Sequence, residues 1–82
     1  MLKINQLYKI SSFGPLFWYS TTPIPPNHSY IYDRKIKSEF PFVLLSLENE
    51  CPVTKSQIIK ILTKDGIGYL RLSETTKIEE VV

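Results

Sequence analysis

The chain is poor in the residues from which catalytic centres and covalent staples are built. Its 82 residues hold one cysteine, Cys51, and one histidine, His28. A lone cysteine excludes an internal disulfide and a zinc site made of several thiolates. No stretch approaches the roughly 20 apolar residues that span a bilayer as a helix. The opening residues Met1 to Gln6 lack the apolar run and small-residue cleavage site of a signal peptide. The three glycines, Gly14, Gly66 and Gly68, form no phosphate-cradling loop. A net charge of +2 lacks the strong positive excess of chains that depend on nucleic acid or anionic lipid. These absences point to a chain with no cofactor, no metal and no membrane partner, placed in the cytoplasm or a virion.

What is present describes one small domain, residues 1–82. Hydrophobic residues make up 43% of the chain, which is enough for a folded core. A core of this size supports shallow grooves and sheet edges more readily than deep clefts.

The pattern along the chain is that of short strands. Leu2 to Ile10 reads as a first strand. Residues 11–38 are punctuated by Gly14, Pro15, Pro23, Pro25 and Pro26, which break helices and central strands. They read as a long loop with two extended pieces, Leu16 to Ser20 and Ser29 to Asp33. Phe42 to Leu47 is a dense apolar run, too short for a typical helix and suited to a buried strand. Glu48 to Ser56 reads as a turn or loop around Pro52. Gln57 to Thr63 and Gly68 to Leu72 flank Asp65-Gly66, a strong hairpin signal, since a type I′ turn needs positive φ at both central residues. Gly68 suggests a bulge or a close backbone approach. Ser73 to Thr76 reads as one helical turn capped by Ser73, and Lys77 to Val82 as a last strand. About five short strands without a long helix favour an all-β, small antiparallel barrel.

The stretches Phe42-Val43-Leu44-Leu45 and Ile59 to Leu70, the latter with Lys64-Asp65-Gly66-Ile67-Gly68-Tyr69 inside it, resemble SH3-like domains. The resemblance implies an SH3-like barrel. Residues 10–40 would then be its first long loop, 48–56 its second, and 64–67 its distal turn. Two features of the eukaryotic members are missing. No tryptophan stands at 57–59, and neither proline nor tyrosine at 71–77, so the aromatic groove that receives polyproline helices is incomplete.

Candidate chemistry is sparse. His28, Asp33 and Cys51 would make a nucleophilic centre only by meeting in space, and their spacing gives no reason to expect it. The chain is therefore read as non-enzymatic. Glu48 with Glu50, and Glu79 with Glu80, read as solvated surface charge. The aromatic residues carry more information. Phe17, Trp18 and Tyr19 are consecutive and cannot share one face of a strand. Tyr30 and Tyr32 would share one. Tryptophan and tyrosine make good contact anchors because they bury large areas and keep a polar tip. Trp18 has two placements open to it, as a plug under the long loop or as an outward anchor. Arg34, Lys35 and Lys37 follow the tyrosines, and cations beside stacking aromatics can hold single-stranded nucleic acid.

The expected binding surface is thus Phe17, Trp18, Tyr19, Tyr30, Tyr32 and Arg34, on a protein-binding or assembly module. A small phage or viral structural protein, or a bacterial adaptor, fits that description. The expected partner is a protein or a larger assembly. The second reading is nucleic-acid binding, and salt dependence separates the two.

Overall fold

The computed structural model describes residues 2–23, 32–50, 56–73 and 76–82. These residues form seven strands: β1 (Leu7–Ile10), β2 (Leu16–Tyr19), β3 (Arg34–Lys37), β4 (Phe42–Glu50), β5 (Gln57–Thr63), β6 (Gly66–Arg71) and β7 (Ile78–Glu80). All ladders are antiparallel. Five strands make one sheet in the order β6-β5-β4-β1-β7, while β2 and β3 make a separate two-stranded ribbon. The all-β antiparallel class matches the sequence pattern. Closure differs from the expected barrel: among the described residues no ladder joins the edge strands β6 and β7. The ribbon instead lies across the open side of the sheet, and a single bridge, Ser20 to Tyr69, ties it to β6.

Alternation explains the core. In β5 the side chains of Ile59, Ile61 and Thr63 are buried together, while Leu62 on the other face is exposed. The main cluster joins Tyr8 and Ile10 of β1, Tyr19 and Ile36 of the ribbon, Phe42 and Leu44 of β4, Ile59 and Ile61 of β5, and Leu70 of β6. Leu44, Ile59 and Ile61 are fully inaccessible to solvent. Burying an aliphatic side chain of this size contributes about 1.5–3 kcal/mol. The ribbon is therefore the second layer of the core.

β4 runs three residues beyond the apolar stretch that marks it in the sequence, as far as Glu50. Its register with β5 slips between Leu44 and Ser46 and again between Leu47 and Glu50. Such bulges bend a strand and raise its twist. The bent β4 pairs with β1 at Phe42 and Val43 and with β5 from Val43 to Glu50.

The hairpin between β5 and β6 turns one residue earlier than the type I′ expectation. Thr63 pairs with Gly66, leaving Lys64 and Asp65 as the loop. Asp65 does not have positive φ; among described non-glycine residues only Asn5 does, whereas Gly66 has φ 109°. A left-handed glycine thus follows the two-residue loop directly, and the ladder beyond it keeps one register from Thr63↔Gly66 to Ile58↔Arg71. The Thr63 side chain braces it, accepting from the Asp65 amide at 3.1 Å and donating to the Gly66 carbonyl at 3.0 Å.

Gly68 is the close approach the sequence suggested. A Cβ there would stand 2.4 Å from Cε2 of Tyr19. The first strand is shorter than expected, beginning at Leu7 rather than Leu2. The helical turn expected at Ser73 to Thr76 has its centre, residues 74–75, outside the described residues. Ser73 and Thr76 themselves exchange backbone hydrogen bonds of 3.0 and 3.3 Å.

Candidate functional site

The loop expected over 11–38 is organised by its own ribbon. Its second strand is Arg34–Lys37; of the extended piece expected at Ser29 to Asp33, residues 29–31 lie outside the described residues, and Tyr32 and Asp33 precede the strand. The register explains why: Leu16 faces Lys37, Phe17 faces Ile36, Trp18 faces Lys35, and Tyr19 faces Arg34. This pairing sets the one apolar residue of β3, Ile36, on the same face as Phe17 and Tyr19, and that face joins the core. Asp33 closes the ribbon. Its amide donates to the Tyr19 carbonyl at 3.2 Å, and its carboxylate accepts from the Thr21 amide at 2.8 Å and from the Thr21 hydroxyl.

Alternation divides the aromatic triplet. Tyr19 is 2% exposed and its hydroxyl lies 3.4 Å from the Thr63 hydroxyl. Phe17 is half-buried against the core. Tyr19 is thereby removed from the expected contact surface, because β2 needs one face to seal the sheet, whereas Phe17 still borders a surface hollow beside Trp18. Trp18 takes the other face and is 50% exposed, beside Leu16 at 48%. The outward placement of Trp18 is thus the one adopted. Lys35 holds the indole, with Nζ 4.6 Å from the ring centroid. A cation–π contact at such an exposed site contributes about 0.5–1 kcal/mol.

Tyr32 lies before β3 and is 36% exposed. With Phe13, Leu16, Phe17, Trp18, Arg71, Ser73 and Thr76 it borders a shallow hollow of about 400 Å³. Arg34 is exposed at the end of the ribbon; the Thr21 hydrogen bonds first, and the Arg34 charge last, hold the Asp33 carboxyl below its ordinary value. Arg34 lines neither this hollow nor the groove described next. Tyr30, His28 and Cys51 lie outside the described residues, so the convergence of His28, Asp33 and Cys51 is not a question the described residues address. Among the described residues no three His, Cys, Asp or Glu side chains gather into a metal-holding group. Among the described residues no helix is long and apolar enough to cross a membrane.

A second concavity was not legible in the sequence. It lies between the ribbon and the β5–β6 turn and encloses about 390 Å³. Leu16, Phe40 and Pro41 supply apolar walls, and Lys35, Lys37, Lys64 and Asp65 supply the charges. Two ammonium groups approach the Phe40 ring, Lys64 Nζ at 4.4 Å and Lys37 Nζ at 5.7 Å from its centroid. The Arg34-Lys35-Lys37 run marks half of this group. Lys64 and Phe40 carry no sequence signal, because only the fold brings the β5–β6 turn beside β3.

Comparison with known proteins found no matching family model, curated protein or solved structure.

Proposed function

We propose that this chain is a non-catalytic protein-binding or assembly module of SH3-like architecture, and that it contacts its partner through the outer face of the β2–β3 ribbon. The observation that carries the reading is Trp18. A half-exposed tryptophan sits on a two-stranded ribbon, steadied by Lys35 and flanked by exposed Leu16 and Tyr32. Large aromatic side chains held rigidly at a surface lose little entropy on binding and bury much area. The ribbon's other face is part of the core, so the anchor stands on a stiff base.

The architectural half of the reading rests on strand order. Excluding the ribbon, the chain-order strands β1, β4, β5, β6 and β7 lie in the sheet as last-first-second-third-fourth, with the ribbon inserted between the first two. This order supports the SH3-like reading, in which the ribbon would be an elaborated first loop.

The test is affinity capture from cells of the source organism with the wild type and Trp18→Ala, followed by binding measurements on each purified partner. The expected result is a folded variant whose affinity falls by about tenfold or more, the range of an aromatic anchor. A folded variant that keeps every partner at full affinity rejects the surface. The nucleic-acid reading is tested separately with a single-stranded oligonucleotide at low salt, where undetectable binding removes it.

A further inference from the structure

The groove between the ribbon and the β5–β6 turn has a chemistry of its own. Its polar inventory is short. The Thr63 hydroxyl is engaged by Gly66 and Asp65 within the turn. That leaves the ammonium groups of Lys35, Lys37 and Lys64 and the carboxylate of Asp65 as its charged groups, around apolar walls from Leu16, Phe40 and Pro41. Glu39 lines the next hollow, beyond Lys37, and not this one.

The cations here differ from those elsewhere. On the far side of the sheet Lys3 is paired with Glu80 at 3.6 Å and Lys9 with Glu79 at 3.5 Å. Among the described residues Lys35, Lys37 and Lys64 have no such ion pair; their contacts are with the faces of Trp18 and Phe40. Two of these ammonium groups, those of Lys37 and Lys64, converge on one ring, that of Phe40. An anionic ligand with an apolar portion would satisfy both features.

We infer that this groove receives an acidic peptide segment of a protein partner, with an apolar side chain seated against Leu16, Phe40 and Pro41 and carboxylates reaching Lys35, Lys37 and Lys64. The inference names the chemistry of the partner and rests on the protein-binding reading above. Volume supports it: about 390 Å³ holds a few side chains and not a folded element. Asp65 favours a peptide over a nucleic acid. Its carboxylate can accept an N–H, which nearly every peptide unit carries and a phosphodiester backbone lacks, and it would repel a continuous line of phosphates. A nucleic-acid track also needs a basic groove that follows the backbone over several nucleotides, whereas these three lysines surround a single cavity.

The experiment is selection of short random peptides displayed on phage against the full chain. Individual clones are then measured as synthetic peptides on the wild type and on Lys37→Glu/Lys64→Glu. The double variant turns a rim of three ammonium groups and one carboxylate into one ammonium group and three carboxylates. Selected peptides should be enriched in Asp and Glu together with an apolar residue. They should bind the double variant about tenfold or more weakly. Both lysine side chains are exposed, so the variant should keep its Tm; if it does not, Lys64→Gln replaces it and should weaken binding about threefold or more. Neutral or basic selected peptides overturn the inference, as do acidic peptides that bind wild type and variant alike. An oligothymidylate that binds the groove more tightly than any selected peptide also overturns it. Trp18→Ala keeps the two proposals distinguishable. Acidic peptides that need the lysines but not Trp18 sustain the groove and reject the Trp18 face. Partners that need Trp18 but not the lysines do the reverse.

Discussion

Substituting Gly68 by alanine sets two effects of opposite sign against each other. Gly68 does not have a left-handed φ; among the described glycines only Gly14 and Gly66 do. Backbone entropy alone would therefore make Gly68→Ala stabilising, by about 0.4–1 kcal/mol. Space argues the other way. The new Cβ would lie 2.4 and 2.5 Å from two carbons of the Tyr19 ring and 3.3 Å from the Ser20 carbonyl oxygen. Carbon atoms in good contact sit about 3.5–4.0 Å apart, so the ring would have to retreat by roughly an ångström. It has little room to do so. Tyr19 is 2% exposed and belongs to the main core cluster, and the neighbouring backbone is pinned by paired Ser20–Tyr69 hydrogen bonds of 2.9 and 2.7 Å. Overpacking of this kind costs about 1–3 kcal/mol. The clash should win, leaving a net loss of about 1–2 kcal/mol after the entropic gain is subtracted. Urea titration followed by fluorescence reads this directly, since Trp18 is the single tryptophan and stands on the same ribbon as Tyr19. The midpoint should fall with the slope unchanged. Tyr19→Leu, which removes the offending ring, should couple to Gly68→Ala by about 0.5 kcal/mol or more in a double-mutant cycle. A Gly68→Ala protein as stable as the wild type, or more so, would refute the packing of Tyr19 on β6.

Gly66→Ala isolates the complementary effect. No atom lies within 4 Å of the Cβ it would add, so any loss comes from φ 109° alone, and about 1–2 kcal/mol is expected from the same denaturation assay. Trp18→Ala should cost less than about 1 kcal/mol, because the indole is half-exposed and its main partner is Lys35; a larger loss of Tm would make Trp18 a structural residue first. The hydrogen bonds from Thr21 hold the Asp33 carboxyl below its ordinary value of 3.8. A depressed carboxyl contributes stability that is present above the ordinary value and lost as pH falls through the folded one. The amide resonance of Thr21 should therefore titrate below pH 3.8, and an Asp33 midpoint at or above that value would remove the clamp.

The strands of the five-stranded sheet were legible wherever one physical signal dominated. Gln57–Thr63 matches its expected bounds because β-branched and aliphatic residues run together up to a turn that needs a glycine. The apolar run from Phe42 marked the start of β4 but not its end. Residues Glu48 to Glu50 are polar, and they are strand only because β5 pairs with them through two bulges. The hairpin was located correctly and its turn type was not. Asp-Gly fits both a type I′ turn and a turn closed by a left-handed glycine, and the Thr63 side chain decides between them by bracing the second.

The ribbon was harder to read, for a reason that also bears on the site. β3 is Arg34-Lys35-Ile36-Lys37, four residues with one hydrophobe. Nothing local favours a strand there over the tyrosine-containing piece just before it. Its formation depends on Ile36 reaching the core opposite Phe17, a contact between residues far apart in sequence. Once that contact fixes the register, the rest is dictated. Lys35 must stand beside Trp18 and Lys37 beside Leu16, because facing residues of an antiparallel pair share a side. The same buried isoleucine thus places two cations on the outer surface, where the fold brings Lys64 to meet them. Composition hides this arrangement. The chain's net charge of +2 averages paired lysines on one flank of the sheet with lysines on the other whose partners, among the described residues, are aromatic faces. A modest net charge therefore excluded a broadly basic surface without bearing on a local one, and the local one exists because the ribbon has an apolar residue at a single position.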